Sequence, residues 1–138
     1  MNSILARMGM AALLGATILL TGFTTNSGTD ANLALIAQPA VGDIYAADLH
    51  DFSATTFTDD DDGDPLPNAY GLMKVVEVDE DKVVVITEAA ASAVKAISRQ
   101  DILGDLKDIT FDEEERIDIV LPQLRKAYEL GRIYEVRR

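Results

Sequence analysis

An α+β fold is expected for this chain: a small, strongly bent β-sheet or SH3-like barrel of about five short strands, with two or three short helices as cover. Three observations predict it. Two β-branched runs, Val75–Val78 and Val83–Ile86, flank the polar tetrad Asp79-Glu80-Asp81-Lys82, the pattern of a hairpin with a short charged loop. The runs are apolar at nearly every position instead of alternating, so both faces of the hairpin need covering, either by barrel closure or by helices. The chain beyond them carries apolar residues at helical spacing and further short strand patterns.

Taken in order, Val41-Gly42-Asp43 reads as a turn into a first strand, Ile44–Leu49, with Ile44, Ala46 and Leu49 directed inward. After the hairpin, Ala90, Val94 and Ile97 fall at i, i+4 and i+7 and define one helical face. Ser98-Arg99-Gln100-Asp101 starts a second short helix with Ile102, Leu103 and Leu106 as its apolar side; with Gly104 inside it, the pair also reads as one broken helix. Ile117, Ile119 and Leu121 alternate with Arg116 and Asp118 as a half-buried strand requires. Pro122 suits a first helical turn, Leu121, Leu124, Ala127 and Tyr128 form the inward stripe of that helix, and Gly131 ends it. Ile133–Val136 supplies a last strand.

The 138 residues are 48% hydrophobic, enough for one domain with a real core. Twelve Lys and Arg stand against 24 Asp and Glu, a net charge of −12, and such a surface field repels phosphate backbones and anionic headgroups. Nucleic acid is therefore not an expected partner. The absence of cysteine excludes disulfides and thiolate metal sites. At the N-terminus, Arg7 precedes the uncharged run Met8–Leu20, and Thr21–Thr29 is small and polar. That is the pattern of a signal peptide over residues 1–28, cleaved between about Phe23 and Ala31. Its apolar run is short of the ~20 residues of a membrane span, so no stable span is expected in the mature chain, an uncleaved N-terminal anchor being the alternative. Leu20-Thr21-Gly22-Phe23 resembles the lipobox of bacterial lipoproteins, except that Phe23 stands at the lipidated cysteine. Residues 24–40 are rich in Thr, Asn, Ser, Gly and Ala with Pro39 near their end, so residues 29–40 read as a flexible tether, and residues 41–138 as a single globular domain.

Candidate chemistry is confined to two places. His50, the one histidine, stands among Asp43, Asp48 and Asp51, and the expected role is a solvated side chain rather than a metal ligand. The stretch Asp59–Gly71, DDDDGDPLPNAYG, places Asp60, Asp62 and Asp64 at the alternate spacing that lets carboxylates converge on a hard cation. It resembles the calcium loops of thrombospondin type 3 repeats and their bacterial relatives, D-x-D-G-D-G-[IL]-P-[DN]-x-x-[DE]. The resemblance implies Asp60, Asp62 and Asp64 as side-chain ligands, Leu66 as a carbonyl ligand and Asn68 completing the cage. Pro65 replaces the turn glycine and Gly71 the closing acid, so a site of this kind is expected to be weak and completed by water. The other reading is a solvated acidic loop joining two strands.

Arg125, Lys126, Arg132, Arg137 and Arg138 fall in the last fourteen positions. They read as a docking patch for an acidic partner or, as the favoured expectation, as a balance for helix dipoles and the chain's own acids. With no nucleophile–base pair, phosphate loop or histidine-based metal set, the leading expectation is a non-catalytic interaction domain, exported to the bacterial cell envelope as a periplasmic or secreted protein, with a protein partner there. No cofactor is expected unless the acidic loop takes calcium. A calcium-binding module is the first alternative, and an enzyme using paired carboxylates the second.

Overall fold

Five antiparallel strands form one open sheet in the order β4-β3-β2-β1-β5, in a computed structural model that describes residues 31–138. The strands are β1 (Ile44–Asp48), β2 (Tyr70–Val78), β3 (Lys82–Thr87), β4 (Ile117–Val120) and β5 (Ile133–Arg137). Three helices accompany them: α1 (residues 31–37), α2 (Lys95–Leu103) and α3 (Leu121–Glu129). The α+β class and the strand number are as expected, and of the two forms weighed, bent sheet and SH3-like barrel, the sheet is the open one. β4 and β5 are its edges. The expected signal peptide lies outside the described residues, and no described helix is long and apolar enough to cross a membrane.

The unbroken apolar character of the hairpin follows from burial on both sides. One face carries Tyr45, Met73, Val75, Val83, Val85 and Ile119 against Leu124 and Ala127 of α3, Ile36 of α1, and Phe57 and Leu66 of the loop before β2. The other carries Ile44, Ala46 and Leu72 against Ile102 of α2, with Leu106, Ile109, Phe111 and Tyr134 packed around them. A sheet sandwiched in this way has no need to close on itself. Two irregularities, between Ala46 and Ala47 and between Val75 and Glu77, interrupt the ladders.

The C-terminal third matches its sequence pattern: α3 opens with Pro122 in its first turn, buries Leu124 and Ala127, and is followed by Gly131 at φ +79°. The Ala-rich stretch does not. Tyr70 and Ser92 exchange backbone hydrogen bonds at 2.8 Å each way, and Ala89 N–H donates to Thr110, so residues 89–92 are tied beside the sheet and form no helix. Helix α2 therefore starts only at Lys95 and buries Ser98 and Ile102, while Val94 and Ile97 are exposed. Gly104 terminates it, and Leu106–Asp108 forms a separate 3-10 turn.

The expected tether over residues 29–40 is also corrected. Residues 31–37 are helical, Ile36 is buried in the core, Leu35 packs beside it, and Asn32 donates to Glu135 at 2.8 Å. Leu35 and Ile36, adjacent apolar residues within the stretch, suffice to dock a short helix once a groove exists for them. Asn32–Arg138 form one unit, so the fold begins well before Val41. Limited proteolysis is expected to leave a protected fragment starting at or before Asn32, and Ile36→Ala is expected to lower unfolding free energy by about 2 kcal/mol in a denaturant titration.

Candidate functional site

At the end of the sheet where β1 begins and β5 finishes, the register sets Lys74 of β2 and Arg137 of β5 on either side of Ile44. Residues opposite one another on neighbouring strands share a face, so the two cations stand about 10 Å apart across the central strand. The segment after α2 arches over this row, and together they enclose a cleft of about 490 Å³. Its walls are Ile44, Leu106, Ile109 and Phe111; its charged groups are Lys74, Lys107, Arg137 and Arg138, and none of the described residues lining it is an acid.

Each cation is held differently. Arg138 grips the wholly buried Asp43 with two bonds of 2.8 and 2.9 Å and donates to the Gln38 carbonyl. Arg137 donates from Nη1 to the carbonyls of Ile102 and Gly104, at the C-terminal end of α2 where the helix dipole is negative. Lys74 lies 5.0 Å from the centre of the Phe111 ring, and Lys107 is 3.8 Å from Asp105 in an exposed pair of little energetic weight. Among the described residues neither Lys74 nor Arg137 has a carboxylate partner. Arg138 and Lys107 are thus balanced by Asp43 and Asp105, and the two cations left over, Lys74 and Arg137, stand over apolar walls in a cleft suited to an anion.

Of the five cations near the C-terminus, four are used internally, Arg125 with Glu129, Arg132 with Asp51, Arg138 with Asp43 and Arg137 at the end of α2, while Lys126 is in no ion pair among the described residues. That internal use fits the favoured expectation. Two of these arginines nonetheless meet Lys74 and Lys107, which no sequence spacing gathers with them. The one local signal is a lysine set between the apolar residues Met73 and Val75 of β2.

The acidic loop is a tight hairpin. Thr58 bridges Pro65, Asp59 N–H donates to Asp64 O at 2.8 Å, and Gly63 takes φ +74°. Asp60, Asp62, Asp64 and Asn68 are exposed and Leu66 is buried. The Leu66 carbonyl is bonded to His50 Nε2 at 2.8 Å, and Asp62 Oδ1 accepts the Asp64 N–H. Gly71, at the position of the closing acid in calcium loops, is already inside β2, where a Cβ would sit 2.8 Å from Leu49 and 3.2 Å from Glu88. Among the described residues no three His, Asp or Glu side chains are grouped to hold a metal. In melts at matched ionic strength, calcium and magnesium are expected to raise Tm equally, by screening alone, with the same shift in Asp62→Ala. An extra calcium shift of several degrees, lost in that variant, would establish the cage instead.

The remaining polar groups serve the fold. Ser98 is 1% exposed, donates to the Lys95 carbonyl and meets the Tyr134 hydroxyl, over whose ring Lys95 and Arg99 lie. A second concavity of about 370 Å³ holds Asp51 and Asp118, each bound to a cation at 2.9 Å, Arg132 and Lys82 respectively. Glu88, beside Gly71, accepts the Leu72 N–H at 3.0 Å; burial, with Asp101 nearby, pushes its pKa up to about 7 from the ordinary 4.5. A carboxyl that keeps its proton more tightly when folded stabilises the fold fully below pH 4.5 and loses that contribution as pH rises through about 7. Glu88→Gln is expected to flatten the stability profile over this window and to gain about 1–2 kcal/mol at pH 8, discounted for the part of the carboxyl that water still reaches.

Comparison with protein-family models, with curated proteins and with solved structures finds no match.

Proposed function

We propose that this chain is a non-catalytic interaction domain of the bacterial cell envelope, carried there by its N-terminal segment, and that it binds an acidic segment of a protein partner in the cationic cleft. One observation carries the reading: in a chain with twice as many acids as bases, four cations line a single concavity, and two of them, Lys74 and Arg137, have no carboxylate partner among the described residues. Burying unlike charges against apolar walls strengthens each ion pair relative to open water. Salt of about 0.1 M screens the repulsion from the rest of the acidic surface beyond a Debye length of about 10 Å, so the cleft governs the approach of an acidic segment at close range. Several of the titratable groups serve contacts within the fold. The imidazole of His50 is bonded to a carbonyl, Glu88 to a backbone N–H, and Asp51 and Asp118 to cations.

The test uses hexaglutamate as probe and hexalysine as control on the isotope-labelled 138-residue chain. Hexaglutamate is expected to shift the amide resonances of Lys74, Lys107, Phe111 and Arg137, with affinity falling about threefold in Lys74→Gln and further as salt rises. Hexalysine is expected to perturb other residues. Shifts scattered over the surface, or an undiminished affinity in Lys74→Gln, would remove the cleft as the binding site.

A further inference from the structure

We infer that the partner segment belongs to a second copy of this chain: the acidic hairpin Asp59–Asp64 of one copy docks in the cationic cleft of another, giving head-to-tail association. The inference rests on the reading of the cleft as an anion site and adds the identity of the occupant.

Charge complementarity is the first support. The hairpin carries five carboxylates in six residues, and among the described residues none of them is in an ion pair. Lys82, Arg99, Arg116, Arg125 and Arg132 are each matched to an acid of their own chain, as are Arg138 and Lys107 at the cleft, so Lys74 and Arg137 are the cleft cations without a carboxylate partner among the described residues. Shape is the second. The Asp59 and Asp62 side chains accept the N–H groups of Asp61 and Asp64, and with the Asp59–Asp64 backbone bond they hold the tip in one form before any partner arrives, which spares the ordering entropy of docking. Mutual repulsion of the five carboxylates is relieved when cations face them.

Geometry then excludes the intramolecular contact. The base of the loop is fastened beyond the Asp48 end of β1, through Leu49 N–H to the Ala69 carbonyl, and its Phe57 and Leu66 are buried on the α3 side of the sheet. The cleft lies at the Ile44 end, roughly 13 Å away along the strand, and on the α2 side. With the sheet between them, loop and cleft of one chain face different neighbours. An interface between two unlike patches of the same chain is heterologous, and it propagates as a ring or an open fibre.

Sedimentation velocity of the 138-residue chain over a salt series tests this. The net charge of −12 keeps copies apart at very low salt, about 0.1 M salt screens that long-range repulsion to a Debye length of about 10 Å while contact pairs persist, and about 1 M salt weakens the contacts themselves. Average mass is therefore expected to pass through a maximum at intermediate salt. Two variants separate the halves of the interface. The loop variant combines Asp60→Asn, Asp61→Asn and Asp62→Asn, and the amide oxygen introduced at position 62 can keep the turn bond; the cleft variant combines Lys74→Glu and Lys107→Glu. Each alone is expected to stay monomeric, and an equal mixture to form a one-to-one dimer that grows no further, since only one intact loop and one intact cleft meet. Monomeric wild-type chain at every salt concentration, association of either variant alone, or a mixture that fails to pair would each overturn the inference. Hexaglutamate titrated into the loop variant, whose cleft is intact, keeps the two readings apart. Binding there while the wild-type chain stays monomeric sinks only the assignment of the partner; no binding sinks both.

Discussion

The pairing of the first strand with the last, sealed by Arg138 on buried Asp43 across 95 residues of sequence, is the contact on which the rest depends. It places β5 outside β1, makes β1 an interior strand buried on both faces, and brings two arginines to the end of the sheet where Lys74 already stands. A buried carboxylate is costly unless paired and fully hydrogen-bonded, and Asp43 meets both demands: the guanidinium takes both oxygens, and the Ala40 N–H donates to one of them. The same carboxylate has a cost. Together with burial it pushes the Tyr45 pKa upward, and the Tyr45 hydroxyl is buried without a hydrogen-bond partner among the described residues.

Everything outside that contact supplies cover for a sheet that is apolar on both sides. On the α3 side, helix α1, the loop before β2 and α3 itself contribute separate pieces, tied together by polar bonds that cross long stretches of chain. Glu115 is one such tie: Ser53, Ala54 and Thr55 all donate to it, and those bonds, led by the Ser53 hydroxyl, hold its pKa below the usual carboxylate range. On the α2 side the cover is thinner. One nine-residue helix and the arch after it rest on Ile44, Ala46 and Leu72, and the cleft lies between the arch and the row of Lys74, Ile44 and Arg137.

Charge is distributed unevenly for the same reason. Exposed ion pairs such as Arg116–Glu77 and Arg125–Glu129 contribute little to stability individually, yet they remove cations from the general surface. What the described residues then present is an acidic surface with a positive concavity on one side and a protruding acidic hairpin on the other. A field of this shape orients approaching molecules before contact.

Local pattern alone determined the hairpin, the Pro122–Gly131 helix with its inward stripe, the turn at Gly42 and the α+β class, because each depends on spacing within a few residues. Tertiary structure decided the rest. Burial on both faces called equally for a closed barrel or a covered sheet, and the choice fell to covering segments distant in sequence. Ala90, Val94 and Ile97 had helical spacing, but backbone pairing of Ser92 with Tyr70 kept the chain out of a helix until Lys95. The calcium resemblance matched Asp60, Asp62 and Asp64 in order, whereas the bond of the Leu66 carbonyl to His50 and the place of Gly71 inside β2 come from contacts distant in sequence. The cleft was the least legible feature. Lys74, Lys107, Arg137 and Arg138 come from three separate parts of the chain, and only strand register and the arch after α2 bring them together, since electrostatic neighbourhood is set by distance in space and not along the sequence.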